Sequence, residues 1–184
     1  MFALLPSLIF FVLAPVSLSL ALWLGFAAAF AIGLRAFGAT RKIRPFDGAG
    51  LVLFGGLALY TAAIDPNLGP CKAALVVECG LLAAIVWSMA ARQPFTARYH
   101  WLKTPQPPDA LARAHLLLSS LWATVYAVMA AISAAAVELH KLSPVWAGIL
   151  GLFVFAATLT FTWQFALYID RRGALPGGRN KEFP

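Results

Sequence analysis

Five long apolar runs, separated by short polar connections, constrain the fold of this chain more than any other feature of its sequence. The first run, residues 2–34, contains no Asp, Glu, Lys or Arg, and the others follow at residues 48–64, 72–91, 114–137 and 145–169. Each later run approaches the ~20 residues that a helix needs to cross the hydrocarbon core of a bilayer. Helices are the expected spanning form, because open strands leave backbone groups unpaired in lipid.

The composition also indicates that the chain lies in a lipid bilayer. Of the 184 residues, 61% are hydrophobic and only 11% are charged, whereas about a quarter of the residues in soluble domains are charged. A chain of this length has a large surface for its volume and could not hide so much apolar area from water. Lipid must therefore cover much of its surface.

The first apolar run is too long for one crossing. As a single helix, residues 2–34 would extend about 50 Å, and Pro15 should interrupt that helix. We therefore expect a short membrane-embedded helix at residues 4–13, shallow or re-entrant and packed on its neighbours, before a spanning helix at residues 17–35. The fold prediction is an all-α, polytopic membrane bundle of five spans plus this short helix, forming one domain over residues 1–184.

The basic residues predict the orientation of the bundle. Twelve of the 14 Lys and Arg residues lie in connections on one side, and two lie on the other. The richer set is Arg35, Arg41, Lys42, Arg44, Arg92, Arg98, Lys103, Arg113, Arg171, Arg172, Arg179 and Lys181; the poorer set is Lys72 and Lys141. By the positive-inside rule, the richer side and a tail at residues 170–184 are cytoplasmic. The net charge of +7 is then expected to meet anionic lipid headgroups rather than nucleic acid.

Small residues at helical spacing mark candidate packing surfaces, because close backbone approach favours helix association in lipid. Three such sets stand out, one in each of three predicted spans. They are Gly25, Ala29 and Gly33; Gly55 and Gly56; and Ser119, Ala123, Ala127, Ala131 and Ala135, which follow one another at four-residue intervals. These stripes serve either packing within one chain or contact with a second copy or another membrane protein.

Glu78 is the one acidic residue well inside a predicted span, six residues beyond Lys72. Ionisable residues at such depth are rare and often functional. A partner would have to come from another helix, and Tyr60, Tyr126 and Ser133 are the candidates. Glu78 is therefore either a hydrogen-bonded structural residue or a site for a proton or a ligand.

Residues 92–103 interleave basic and aromatic side chains. We expect this segment to lie on the inner membrane surface, with rings at headgroup depth and cations on phosphates. It either anchors the protein or recognises a headgroup or a cytoplasmic partner. Its candidate functional residues are Arg92, Phe95, Arg98, Tyr99, Trp101 and Lys103. Trp87, Trp122 and Trp163 are expected near the same interface, where Trp is enriched.

The sequence offers no constellation typical of catalysis or of cofactor binding. His100 and His115 are expected on the cytoplasmic side and His140 on the other, so they should not converge on one metal ion. Cys71 and Cys79, eight residues apart, would lie about 12 Å apart along one helix, too far for a disulfide. We therefore expect a non-enzymatic protein without a metal or cofactor.

Several motifs resemble the bacterial intracellular septation protein A family. They are Leu5-Pro6-Ser7-Leu8-Ile9-Phe10-Phe11-Val12; Phe54-Gly55-Gly56-Leu57 with Lys72; residues 118–133 with Trp122-Ala123; and Phe161-Thr162-Trp163-Gln164 with Tyr168 and Arg171-Arg172. Length and span order are also similar. The chain departs from the family pattern at Ser133, where the family usually has Asn, and at Arg92-Gln93-Pro94, where it has Lys-Pro.

The resemblance implies a non-enzymatic inner-membrane protein of cell-envelope biogenesis, septation or membrane homeostasis that acts through protein and lipid contacts. It implies no catalytic residue. Two alternatives stay open at this point. One is a small accessory subunit of a larger respiratory or photosynthetic membrane complex, and the other is a proton-linked carrier that uses Glu78.

Overall fold

The computed structural model describes residues 4–41, 45–98, 108–139 and 143–173. Within these residues the regular elements are all helical, and five of the helices are long and apolar enough to cross a membrane. This confirms the predicted all-α, five-span bundle with a short N-terminal helix. The elements are α1 (Leu5–Leu13), α2 (Leu18–Thr40), α3 (Pro45–Ala63), α4 (Pro70–Ala90), a 3₁₀ turn (Phe95–Arg98), α5 (Pro108–Leu139) and α6 (Pro144–Gly173).

Three helices extend well beyond the spans that the sequence predicted, and one of them is α2, which ends at Thr40 and not at residue 35. Helix α5 begins six residues before residue 114, and α6 continues to Gly173, four residues into the predicted tail. Both helices start at a proline, whose fixed φ suits the first helical turn. A hydrophobic run marks only the part of a helix that is in contact with lipid. It therefore underestimates the length of a helix that extends beyond the bilayer. The rest of the predicted tail, residues 174–184, lies outside the described residues.

The helices run alternately up and down, which gives the bundle two different ends. Helices α2, α4 and α6 end at one side of the bundle, which we call the basic face. Helices α1, α3 and α5 end at the other side, which we call the opposite face. Exposed Arg35, Arg41, Arg92 and Arg113 lie toward the basic face, whereas Lys72 is exposed toward the opposite face. The described basic side chains therefore follow the predicted asymmetry.

Helix α1 is a short helix packed inside the bundle. Its Pro6, Ser7, Phe10 and Phe11 are buried, and the ring of Phe10 lies 5.7 Å from the ring of Phe54 on α3. A turn at residues 14–16 then leads into α2, whose first turn is capped by the Ser17 hydroxyl accepting from the Leu20 N–H at 3.4 Å. The helix is packed on its neighbours, as expected, and its depth in the bilayer stays a prediction.

The small residues of α2 allow α3 to approach closely. A methyl group added at Gly25 would lie 3.1 Å from the Phe54 ring, and one at Gly33 would lie 3.3 Å from Leu51. On α3, a methyl at Gly55 would lie 2.9 Å from the Phe26 ring, but nothing lies within 4 Å of such a methyl at Gly56. Ala29 is buried beside Gly50 in the same contact. The structure thus places Gly25, Ala29, Gly33 and Gly55 in the contact between α2 and α3, but not Gly56.

The stripe on α5 packs within this chain over only part of its length. Ser119 is buried and Ala123 and Ala135 are half-buried, but Ala127 and Ala131 are exposed. Four residues turn a helix by more than one full turn, so a strict four-residue stripe drifts about 40° per step around the axis. The buried side of α5 instead follows Ser119, Trp122, Tyr126, Met129 and Ser133.

Trp122 differs from the expected interfacial position. It is fully buried, with its ring 5.3 Å from the ring of Phe155 on α6. Trp87 and Trp163, by contrast, are 73% and 53% exposed, as expected for residues in contact with lipid. Trp122 belongs to the inward side of α5, and that helical position outweighs the preference of tryptophan for membrane interfaces.

Candidate functional site

Glu78 lies on the buried side of α4, between the core residues Val77 and Leu81. Only 2% of its surface is exposed. It follows the first residue of the helix, Pro70, by eight positions, which places it about 12 Å from the end of α4 at the opposite face. The structure therefore turns this carboxyl toward the interior of the bundle and away from lipid.

The partner of Glu78 comes from α5. The Ser133 hydroxyl lies within hydrogen-bonding reach of the Glu78 carboxyl, whereas Oε2 of Glu78 is buried without a hydrogen-bond partner in the described structure. Of the other two candidates, Tyr126 is fully buried near Glu78 and donates to Ser7 Oγ at 3.2 Å. Tyr60 is 40% exposed on α3 and does not take part.

A cavity of about 30 Å³ lies against the Glu78 carboxyl. It is bounded by residues of α1, α4, α5 and α6 together with Pro15 of the α1–α2 turn, and most of them are apolar. The polar members are Glu78, Ser133 and Cys71; the thiols of Cys71 and Cys79 are both free, as predicted. A water molecule needs about 10–15 Å³ of such volume and two or more polar partners, so the cavity has room for one or two.

Sequence reasoning missed the contribution of α1 and α6 to this cavity. Gly148 and Gly151 form part of its wall on α6, and a methyl group at Gly148 would lie 3.1 Å from Cγ of Pro15. The glycines let α6 approach the end of α1 without filling the space beside Glu78. The sequence signal for this contact was Pro15, because it follows the end of α1, where α1 and α6 meet.

Residues 92–98 of the predicted basic and aromatic segment pack against the bundle at the basic face. Phe95 is 3% exposed, and its ring stacks on that of Phe46 at 4.9 Å. Thr96 Oγ1 donates to the backbone carbonyl of His115 at 2.9 Å and lies 3.0 Å from Ser119 Oγ. The backbone N–H of Phe95 donates to Ser88 Oγ at 3.2 Å. These contacts join α3, the 3₁₀ turn, α4 and α5.

The expectation that Phe95 lies at headgroup depth is therefore wrong, because the backbone turn after α4 directs it into the bundle. That turn begins at Arg92, which is exposed and adopts φ 55°. Lys72 is likewise exposed, at the opposite face, and it follows Cys71, which lines the cavity. The Arg98 side chain, Tyr99, Trp101, Lys103, His100 and His140 lie outside the described residues.

Glu78 and Ser133 are thus brought together, and the segment at residues 92–98 lies at the other end of the bundle. Among the described residues there is no group of three or more His, Cys, Asp or Glu that could hold a metal ion. The chemistry available at the cavity is that of a single carboxyl group with a hydroxyl neighbour and space for water.

The fold defines a multi-pass, all-helical membrane protein in which Glu78 lines a small cavity and Asp47, which is also buried, lines a second and smaller one. Comparison with protein-family models, with curated proteins and with solved structures finds no match for this chain.

Proposed function

We propose that this chain is a non-enzymatic protein of a bacterial cytoplasmic membrane that supports cell-envelope biogenesis, septation or membrane homeostasis through contacts with lipids and other membrane proteins. The observation that carries the proposal is the distribution of basic residues, with 12 of 14 in connections on one side. By the positive-inside rule, the basic face and the C-terminus are then cytoplasmic.

The basic face suits contact with anionic lipid. Arg35, Arg41, Arg92 and Arg113 are exposed there, and each basic residue near an anionic surface contributes about 1 kcal/mol of attraction. The buried Phe95 and Thr96 hold the 3₁₀ turn against α3 and α5 at this face. The face is therefore a stable platform for lipid headgroups or for a cytoplasmic partner.

The motifs that resemble the septation protein A family meet in space, which supports that part of the proposal. Phe10, from the first motif, contacts Phe54 from the second at 5.7 Å between ring centroids. Ser7, also in the first motif, accepts from Tyr126 in the third. Three of the four motifs, although distant in sequence, thus contribute to one packing core around α1.

The test is a mild-detergent pull-down of the tagged protein from its native membrane, with mass spectrometry of the proteins that accompany it. We expect division or envelope-synthesis proteins, or a second copy of this chain. Recovery of stoichiometric respiratory or photosynthetic subunits would instead establish the alternative, a small accessory subunit of a larger complex.

A complementation experiment tests the role of the basic face directly. In cells that lack the protein, we expect a variant with Arg41, Arg92 and Arg113 changed to Gln to restore normal envelope morphology poorly. Lys72→Gln, which removes an exposed cation at the opposite face, is the matched control and should restore it fully. Equal performance of the two variants at equal membrane abundance would contradict the proposal.

A further inference from the structure

The Glu78 cavity supports an inference that goes beyond a scaffolding function. The carboxyl is 98% buried at membrane depth, and one of its oxygens, Oε2, has no hydrogen-bond partner in the described structure. Glu78 also lines a cavity with room for one or two waters. A buried carboxyl held only for packing would be expected to have both oxygens satisfied, because each unsatisfied buried polar group costs about 1–3 kcal/mol.

The residues that line the cavity determine which cation can neutralise an ionised Glu78. Helix α1 contributes Phe10 and Phe11, the turn after it contributes Ala14, and α6 contributes Ala147, Gly148 and Gly151. None of these residues is titratable or charged. The titratable groups near Glu78 are Cys71 on its own helix and Tyr126 on α5. Among the described residues that line the cavity there is no Lys, Arg or His.

An ionised carboxylate without a counter-charge is costly at this depth. A bound metal cation would need several oxygen ligands, but here the side-chain oxygens of the cavity come from Glu78 and Ser133 alone. A proton needs only the carboxyl itself, with a water molecule to deliver it. The geometry therefore favours a proton over a metal cation.

The cavity also indicates the side from which that proton arrives. Its rim is formed by Pro15, Pro70 and Cys71, which are exposed or half-buried at the opposite face. Toward the basic face lie the buried side chains of Phe10, Leu81 and Tyr126, each at most 1% exposed, and Leu81 also lines a separate cavity of about 10 Å³ that contains Asp47. Water can approach Glu78 from the rim, whereas packed side chains close the other direction.

We propose that Glu78 is a reversible proton-binding site of this protein, in exchange with the aqueous phase at the opposite face through the cavity between α1, α4, α5 and α6. The Ser133 hydroxyl positions the carboxyl, and water in the cavity delivers and accepts the proton. The bundle would thereby sense or take up protons from one side of the membrane.

The experiment uses dicyclohexylcarbodiimide, an apolar reagent that modifies protonated carboxylic acids in membranes. The full chain in sealed vesicles is treated over a range of pH, and labelling of the Glu78 peptide is measured by mass spectrometry. We expect labelling to fall as pH rises and to be lost in Glu78→Gln. Glu138→Gln, which changes an exposed acid at the end of α5, should leave it unchanged.

The side of access is tested by changing the pH of one compartment at a time. Labelling should follow the pH of the compartment from which Lys72→Cys, in a background with Cys71→Ser and Cys79→Ser, reacts with an impermeant thiol reagent. The proposal is overturned if labelling does not depend on pH, if it follows the other compartment, or if Na⁺ at constant pH protects Glu78, which would identify a cation site. Infrared detection of a pH-dependent carboxylic acid band in the wild-type protein keeps the test valid even if Glu78→Gln does not fold.

Discussion

The hydroxyl of Ser133 should stabilise the bundle through Glu78. Replacing it with alanine leaves the buried carboxyl without its neighbour on α5. Hydrogen bonds between membrane helices contribute on average about 0.6 kcal/mol and at most about 1.7 kcal/mol. We therefore expect Ser133→Ala to lower the free energy of unfolding in mixed micelles by about 1 kcal/mol.

Ser120→Ala is the matched control for this experiment. The Ser120 hydroxyl donates only to the backbone carbonyl of Leu117 within α5, at 2.9 Å, and it is partly exposed. Its removal should change the free energy of unfolding by a few tenths of a kcal/mol at most. If the two variants were equally stable, Ser133 would not be a stabilising partner of Glu78.

The sequence identified Glu78 but could only narrow the choice of its partner. An acidic residue within a span is conspicuous because such residues are rare. To choose among Tyr60, Tyr126 and Ser133, one must know how α3 and α5 are rotated about their axes. The sequences of weakly amphipathic membrane helices contain little information on that orientation. The cavity was not predictable, since it arises where α1 and α6 meet without filling the space between them.

Helix α1 should be held in the bundle partly by the hydrogen bond from Tyr126 to Ser7, the 3.2 Å contact between α5 and α1. Tyr126→Phe removes the hydroxyl and leaves the ring in place. We expect faster amide hydrogen exchange in residues 5–13, by several-fold, with little change in α4. Tyr60→Phe, at a residue 40% exposed on α3, should leave exchange in α1 unaltered. An identical exchange profile for both variants would show that apolar packing alone holds α1.

The two sides of α5 should respond differently to added bulk. Ala130 is 9% exposed and faces the bundle, whereas Ala127 is exposed. Overpacking an interior position costs about 1–3 kcal/mol, so Ala130→Leu should lower the unfolding temperature while Ala127→Leu leaves it unchanged. Dissociation of a dimer by Ala127→Leu, measured by light scattering, would instead place that side of α5 at an interface between copies.

The number and order of helices were predictable because the cost of exposing backbone groups and charges to lipid is large and depends on composition alone. The inward side of each helix was harder to predict. Gly25 and Gly33 face α3 as expected, since glycine permits the closest approach, but the alanine stripe of α5 drifts out to the surface. Alanine is small enough to suit both protein and lipid, so its pattern does not reveal the buried side.

The orientation of the bundle follows from its charge distribution and can be tested at two exposed positions. Lys72 lies at the opposite face and Arg92 at the basic face, so single cysteines at these positions report on different compartments. In a background with Cys71→Ser and Cys79→Ser, an impermeant maleimide added outside intact cells should label Lys72→Cys and spare Arg92→Cys. Permeabilised cells provide the control, because both positions should then react. The reverse pattern would place the basic face outside, against the positive-inside rule, and would exclude the proposed contact of this face with cytoplasmic partners.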